Sequence, residues 1–180
     1  MSEVVIFRGI SGSGKSSLKA VLEEMCAEAG VTISMHSTDD YHMVDGEYKF
    51  DQKRLGYFHR LNKEAFEKSL ADGIDIVGCD NTNLRQREYK AYIEAGREVD
   101  AAVVAVVFHP DDYDKHVERN THGVPEEVIL RMMGTFSNNI ETVGVDHEFV
   151  IFPEKFCDKR LRTIASRIIE NFKRSNQGAQ

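Results

Sequence analysis

Short apolar runs alternate along the chain with longer stretches in which apolar residues recur every three or four positions. The short runs are typical of strands buried on both faces, and the longer spacing indicates amphipathic helices. Strands that alternate with helices favour one parallel sheet covered by helices on both faces. The predicted strands cover residues 4–7, 31–35, 74–80, 101–108 and 148–152.

Six helices are expected between and after these strands. They are predicted over residues 18–29, 51–72, 84–96, 111–120, 125–138 and 161–172. Gly96 is expected to end the third of them, and Pro125 suits the first position of the fifth. Residues 42–50 are polar and predict a loop. Residues 175–180 predict a flexible tail.

Length and composition favour one domain over residues 1–180. No apolar run approaches the roughly 18 residues of a membrane span, and the first residues lead straight into a strand, so we expect a cytoplasmic protein that does not contact membranes. Cys26, Cys79 and Cys157 lie far apart, which indicates neither a disulfide framework nor a zinc site. The net charge of -7 argues against a surface coated in basic residues for long duplex DNA.

The segment between the first strand and the first helix carries the clearest chemistry. Residues 9–16 read GISGSGKS and fit the phosphate-binding loop pattern G-x-x-x-x-G-K-[ST]. Glycines let successive backbone N–H groups point at phosphate oxygens, Lys15 would reach the β- and γ-phosphates, and the Ser16 hydroxyl would bind Mg²⁺. The predicted nucleotide contacts are Gly9, Ser11, Gly12, Ser13, Gly14, Lys15, Ser16, Ser17 and Arg119.

Carboxylates follow two other predicted strands, at the edge of the sheet where ligands bind in such folds. Asp39 is the candidate base for an acceptor hydroxyl, although it or Asp40 would also suit a turn cap. Asp80 is a candidate either to bind Mg²⁺ or to orient the acceptor, and it equally suits a polar turn that opens the next helix. The sequence has no N-K-x-D element for guanine, which favours ATP as the donor.

Taken together, these motifs resemble the kinase domain of polynucleotide 5′-hydroxyl kinases, in an AAA-type, ATP-binding kinase-like branch. The resemblance covers about residues 3–136 and predicts a three-layer P-loop kinase fold with a short lid at about 119–131. Its motifs are residues 9–16, Thr38-Asp39-Asp40-Tyr41, Asp80-Asn81-Thr82-Asn83-Leu84, Arg119-Asn120 and Val124-Pro125. The branch is indicated by Asp45-Gly46-Glu47-Tyr48 and by Arg119-Asn120-Thr121-His122-Gly123-Val124.

The resemblance implies roles for these residues. Asp39 would be the general base, and Asp80 would belong to the acceptor site. The family has an arginine at the position of His42 in this chain. The lid of this chain is also shorter than the family's, and it lacks the arginine that would contact the transferring phosphoryl group. Arg119 and Arg131 are the available substitutes; Arg119 would alternatively stack on adenine, and His122 would cover part of the loss.

Basic residues follow both acidic motifs and predict contacts with the phosphates of a nucleic acid, DNA or RNA. For each of them, a solvated helix face is the alternative. The predicted acceptor contacts are Asp39, His42, Asp80, Asn83, Arg54 and Arg85.

The leading functional prediction is ATP-dependent transfer of the γ-phosphate to a nucleic acid hydroxyl, most simply a polynucleotide 5′-OH. A hydroxymethylated base in DNA and a small molecule such as a nucleoside or sugar are alternative acceptors. A nucleotide-dependent binding module without transfer is the alternative from another class, and the presence of Asp39 argues against it.

Overall fold

The computed structural model describes residues 1–120 and 123–177 and contains seven strands. They are β1 (Glu3–Arg8), β2 (Ile33–His36), β3 (Met43–Val44), β4 (Glu47–Tyr48), β5 (Ile76–Cys79), β6 (Ala102–Phe108) and β7 (His147–Ile151). Five of them form a parallel sheet in the order β2-β5-β1-β6-β7, while β3 and β4 form a separate antiparallel hairpin. The predicted five-stranded parallel sheet is confirmed.

Helices cover both faces of the sheet, which gives three layers. They are α1 (Lys15–Ala29), α2 (Leu55–Ala71), α3 (Gln86–Glu98), α4 (Tyr113–Glu118), α5 (Glu126–Ser137) and α6 (Asp158–Gln177). Side chains of β1 alternate between the faces: Val5 and Phe7 pack with α1 and α6, whereas Val4 and Ile6 pack with α2 and α3. This alternation explains why the first apolar run is unbroken.

The register of the sheet brings three chain segments together at its carboxyl edge. Ile6 of β1 and His36 of β2 are both paired with Cys79 of β5. Just beyond the strands, the Gly9 N–H donates to the Thr82 carbonyl oxygen at 2.9 Å, and the Asp80 N–H donates to that of His36 at 2.8 Å. The phosphate loop therefore lies beside the segments that follow β2 and β5.

Several predicted boundaries were wrong. The predicted loop over 42–50 contains the hairpin of β3 and β4, which turns at Asp45-Gly46. Gly96 does not end α3 but lies inside it, where a Cβ would come within 2.7 Å of a Val4 methyl group. Pro125 precedes α5 and is not its first residue. The last helix continues to Gln177, so residues 175–177 are helical and not part of a tail.

Some of the predictions lie outside the described residues, namely those on Thr121 and His122 in the lid and on 178–180 in the tail. Over the two described ranges, no helix is both long and apolar enough to cross a membrane.

Candidate active site

The phosphate loop connects β1 to α1 through backbone conformations that favour glycine. Gly12 and Gly14 have φ values of 74° and 91°, in the left-handed region. A Cβ at Gly12 would lie 3.0 Å from the His116 carbonyl oxygen, and one at Gly14 would collide with the ring of Phe156. Residues other than glycine would therefore be strained at both positions.

Lys15 is the first residue of α1 and is half-buried against the loop. Its Nζ donates hydrogen bonds to the carbonyl oxygens of Gly9 at 3.1 Å and Ile10 at 3.0 Å. Burial lowers the pKa of Lys15, while the negative charges of Asp80 and Asp39 act in the opposite direction. The ammonium group thus belongs to the same electrostatic site as the two predicted carboxylates.

A cavity of about 580 Å³ opens at the carboxyl edge of the sheet. Its volume falls within the range of small-molecule sites. The phosphate loop forms one wall, and the segments after β2 and β5 form another. The lining residues are Ser11, Gly12, Ser13, Gly14, Lys15, Ser16, Ser17, Lys19, Ser37, Asp39, Asp40, Asp80, Thr82, Arg119 and Phe156.

Asp39 lies in a 3-10 turn, Thr38–His42, directly after β2. The turn is capped by Ser37, whose Oγ accepts from the Asp39 N–H at 3.3 Å. The side-chain cap is thus Ser37 and neither of the two aspartates. The Asp39 carboxylate is exposed to the cavity and accepts a hydrogen bond from the Tyr48 hydroxyl at 3.2 Å.

Asp80 follows β5 on the other side of the cavity floor. Its Oδ1 is buried and has no hydrogen-bond partner among the described residues. Burial raises the pKa of Asp80 to about 6, although the positive charge of Lys15 opposes this shift. A carboxylate oxygen without a partner among the described residues, in a cavity that Ser16 also lines, fits Mg²⁺, which prefers oxygen ligands.

No cluster of three or more His, Cys, Asp or Glu side chains that could hold a metal occurs in the described part of the chain. Mg²⁺ is commonly bound by one or two protein groups together with substrate phosphates, and Ser16 and Asp80 are the residues that would hold it here.

Arg119 lines the cavity at the end of α4. Its guanidinium forms an ion pair with Asp111 at 3.2 Å, and Lys115 pairs with the same carboxylate at 3.0 Å. These hydrogen bonds, the one from Lys115 above all, hold the pKa of Asp111 at about 2. Arg131 is exposed on α5 and is not among the lining residues.

His116 joins this group to the phosphate loop. It is fully buried, and its Nε2 accepts from the Asp111 N–H at 2.7 Å. Nδ1 therefore carries the proton and donates to the Ser11 carbonyl oxygen at 3.1 Å. Burial lowers the pKa of His116, which favours this neutral form.

The structure does not bring four of the predicted acceptor contacts to the cavity. His42 is buried, and its ring packs against Phe50 and Phe58. Asn83 is buried and donates to the Phe7 carbonyl oxygen at 2.7 Å. Arg54 and Arg85 are exposed, Arg54 over the ring of Phe58 and Arg85 beside Glu88.

A family model described as "AAA domain" matches residues 4–138, from the start of β1 to the end of α5. This chain belongs to that AAA domain family. The match includes the phosphate loop and both acidic segments of the cavity. The AAA domain here has a P-loop kinase-like fold.

The proteins similar to this AAA domain include one curated relative and two solved structures. NEDD4-binding protein 2 of Homo sapiens is 40% identical over 139 residues, which is 72% of this chain and 7% of that protein. APS kinase CysC of Mycobacterium tuberculosis, solved with AMPPNP and APS, has a TM-score of 0.63 at 18% identity and covers 94% of this chain and 96% of its own. A gluconokinase of Sinorhizobium meliloti 1021 has a TM-score of 0.60 at 17% identity and covers 99% of this chain and 98% of its own.

Sequence reasoning missed four residues that shape the site of this AAA domain. Arg8 is fully buried after the apolar run and donates to the carbonyl oxygens of Asn83 and Asn139, which fixes the loops behind the cavity. His116, Tyr48 and Phe156 are the others. Of these four, only Tyr48 could have been found from the sequence, because it is the last residue of the Asp-Gly-x-Tyr motif that follows the acidic segment.

Proposed function

We propose that this chain is an ATP-dependent kinase that transfers the γ-phosphate to a hydroxyl of a nucleic acid, most simply a polynucleotide 5′-OH. The observation that carries the proposal is the cavity itself. It holds the exposed carboxylate of Asp39 opposite the phosphate loop, beside Lys15 and Asp80. An exposed carboxylate at this position can accept the proton of an acceptor hydroxyl, which favours a kinase over a module that only binds nucleotide.

In the transfer step, Asp39 would accept the proton of the acceptor hydroxyl as the hydroxyl oxygen bonds to the γ-phosphorus. At the same time, the bond between that phosphorus and the bridging oxygen of ATP breaks. ADP leaves with the electron pair. Because Asp39 is exposed, it can return the proton to solvent. The Tyr48 hydroxyl donates to one oxygen of Asp39 and would orient the other oxygen toward the acceptor.

The phosphates would be bound by the loop N–H groups and by Lys15, whose ammonium would compensate the charge that develops in the transition state. Ser16 and Asp80 would hold Mg²⁺, which when bound neutralises phosphate charge and orients the phosphates. Of the two candidate arginines, Arg119 already lines the cavity next to Phe156, which supports adenine stacking. Arg131 on α5 is our candidate for the transferring group, but it is exposed and does not line the cavity, so α5 would have to move toward the phosphates for it to act.

The nucleic acid acceptor is supported by the resemblance of the acidic and lid motifs to polynucleotide kinases. Small-molecule acceptors form the second candidate class, because two structural neighbours are named as APS kinase and gluconokinase. A hydroxymethylated base remains a third acceptor, since the chain has His42 where the family has an arginine, and that ring is buried.

The test is transfer from γ-labelled ATP with Mg²⁺ to a panel of 5′-OH DNA and RNA oligonucleotides, duplexes with hydroxymethylated bases, nucleosides and sugars. We expect label on the 5′ end of an oligonucleotide. If only a small molecule were labelled, the acceptor would be a small molecule and not a nucleic acid. If the protein bound ATP but labelled no acceptor in the panel, the kinase proposal would be overturned.

A further inference from the structure

A cluster of aromatic rings lies next to the turn that carries Asp39. The buried His42 ring is at its centre, with ring centroids 5.6 Å from Tyr48, 5.0 Å from Phe50 and 4.8 Å from Phe58. Tyr57 is 6.0 Å from Phe58. Most of these rings are at least partly buried, but Phe50 is 59% exposed and Tyr57 44% exposed. Two large aromatic side chains of the cluster are therefore exposed to solvent.

The segment that carries the exposed rings is rich in positive charge. Residues 49–60 contain Lys49, Lys53, Arg54 and Arg60 but only one acid, Asp51, in a chain with a net charge of -7. The Arg60 guanidinium lies over the Tyr57 ring at 5.1 Å. Lys49 and Arg60 have acidic neighbours in Glu47 and Glu64, whereas Lys53 and Arg54 form no ion pair within the described residues. We call Phe50, Tyr57, Lys53, Arg54 and Arg60 the aromatic–basic surface.

This surface is joined to the candidate base by direct contacts. Tyr48 donates its hydroxyl proton to Asp39 and packs against His42, which packs against Phe50. On α2, His59 forms a hydrogen bond of 3.1 Å with the Thr38 hydroxyl, one residue before Asp39. A polymer whose terminal hydroxyl reached Asp39 would thus have the aromatic–basic surface beside its next residues.

We infer that the aromatic–basic surface binds the unpaired nucleotides next to the phosphorylated hydroxyl, with bases stacked on Phe50 and Tyr57 and phosphates held by Lys53, Arg54 and Arg60. Exposed aromatic rings among cations are the combination that binds single-stranded nucleic acid without sequence preference. Small sugars and nucleosides have no second base or backbone phosphate to use it. The inference rests on the proposed function and narrows its acceptor to a single-stranded end.

The experiment measures both binding and transfer with a dodecamer of deoxythymidylate that has a free 5′-OH and a 3′ fluorophore. Anisotropy gives the Kd, and γ-labelled ATP gives the KM and kcat for the same oligonucleotide. Phe50→Leu and Tyr57→Leu keep apolar bulk at the cluster but remove the ring. We expect each to raise the Kd and the KM about tenfold, with the KM for ATP unchanged.

Three further variants control for other effects. Tyr57→Phe keeps the ring and should bind like the wild type. Lys53→Gln should reduce by about one the slope of log Kd against log salt concentration. Phe152 is another exposed ring with a lysine, Lys155, over it, but it lies in the loop after β7 and outside the aromatic–basic surface. Phe152→Ala should leave oligonucleotide binding unchanged.

The outcomes separate this inference from the proposed function. If the wild type phosphorylates the oligonucleotide and both leucine variants do so with unchanged Kd and KM, the kinase proposal stands and the surface is not the binding site. If the wild type phosphorylates only small alcohols, the nucleic acid acceptor and the surface are both wrong. If Phe152→Ala weakens binding as much as the leucine variants, stacking is not specific to this surface, and the inference is overturned.

Discussion

The carboxyl group of Glu3 is buried and has no hydrogen-bond partner among the described residues, and its removal should stabilise the protein at neutral pH. It is the first residue of β1 and only 1% exposed, and neither carboxylate oxygen finds a partner in the described part of the chain. Burial, and secondarily the negative charge of Asp146, raise the pKa of Glu3 from 4.5 to about 8. At pH 7 the folded protein therefore holds a proton on Glu3 that the unfolded chain has released.

The pKa difference sets the size and sign of the effect. Between pH 4.5 and 8 the folded state binds more protons at Glu3 than the unfolded state, so the free energy of unfolding falls as the pH rises. The slope approaches 1.4 kcal/mol for each pH unit, which gives a loss of about 3 kcal/mol by pH 7. Glu3→Gln cannot ionise and should recover this amount. The melting temperature should rise by roughly 6–12 °C in a chain of this size.

The assay is urea unfolding of the wild type and Glu3→Gln at pH 5 and pH 7. We expect the variant to be more stable by about 3 kcal/mol at pH 7 and by less than about 1 kcal/mol at pH 5. Glu28→Gln removes the same charge from the exposed face of α1 and controls for net charge. An equal difference between wild type and Glu3→Gln at both pH values would refute the reasoning, since it would show that ionisation of Glu3 contributes nothing.

The remaining predictions concern the cavity. Lys15→Ala should lower the rate of single-turnover transfer at least about 10²-fold, because the charge of the transition state loses the ammonium group that compensates it, while the melting temperature stays unchanged. A near-normal rate would contradict the phosphate site. Arg119→Ala should mainly raise the KM for ATP and Arg131→Ala should lower kcat, and steady-state kinetics showing the reverse would exchange the two roles. Tyr48→Phe should lower kcat about tenfold because Asp39 loses its orienting hydrogen bond, with the KM for ATP unchanged; an unchanged kcat would make Tyr48 structural only.

The central strands of the sheet, β1, β5 and β6, could be predicted from the sequence because they are buried on both faces. Such strands have no polar residues to interrupt them, so residues 4–7 and 101–108 are unmistakable. The phosphate loop followed from its glycines, whose left-handed conformations few other residues adopt. The hairpin of β3 and β4 was not predicted, because its two-residue strands show no periodicity, and the Asp45-Gly46 pair at its turn was the one local signal for it.

Contacts between distant segments were the part of the site that the sequence did not reveal. His42 was expected in the acceptor site, but its burial depends on rings from the hairpin and α2. The position of His116 depends on how α4 packs against the loop, and a charged residue such as Arg8 at a strand end is more often exposed. Local patterns do not encode these contacts, which are set by tertiary packing.

The rate of phosphoryl transfer by Asp39→Asn tests the central claim most directly, namely that this cavity activates an acceptor hydroxyl. The substitution keeps the size of the side chain but removes its charge and basicity, and Asp40→Asn makes the same change one residue away as a control. We predict that single-turnover transfer to a 5′-OH oligonucleotide falls about 10²-fold or more in Asp39→Asn, with ATP affinity unchanged. Wild-type transfer by Asp39→Asn would contradict the claim and leave Asp80 as the next candidate base.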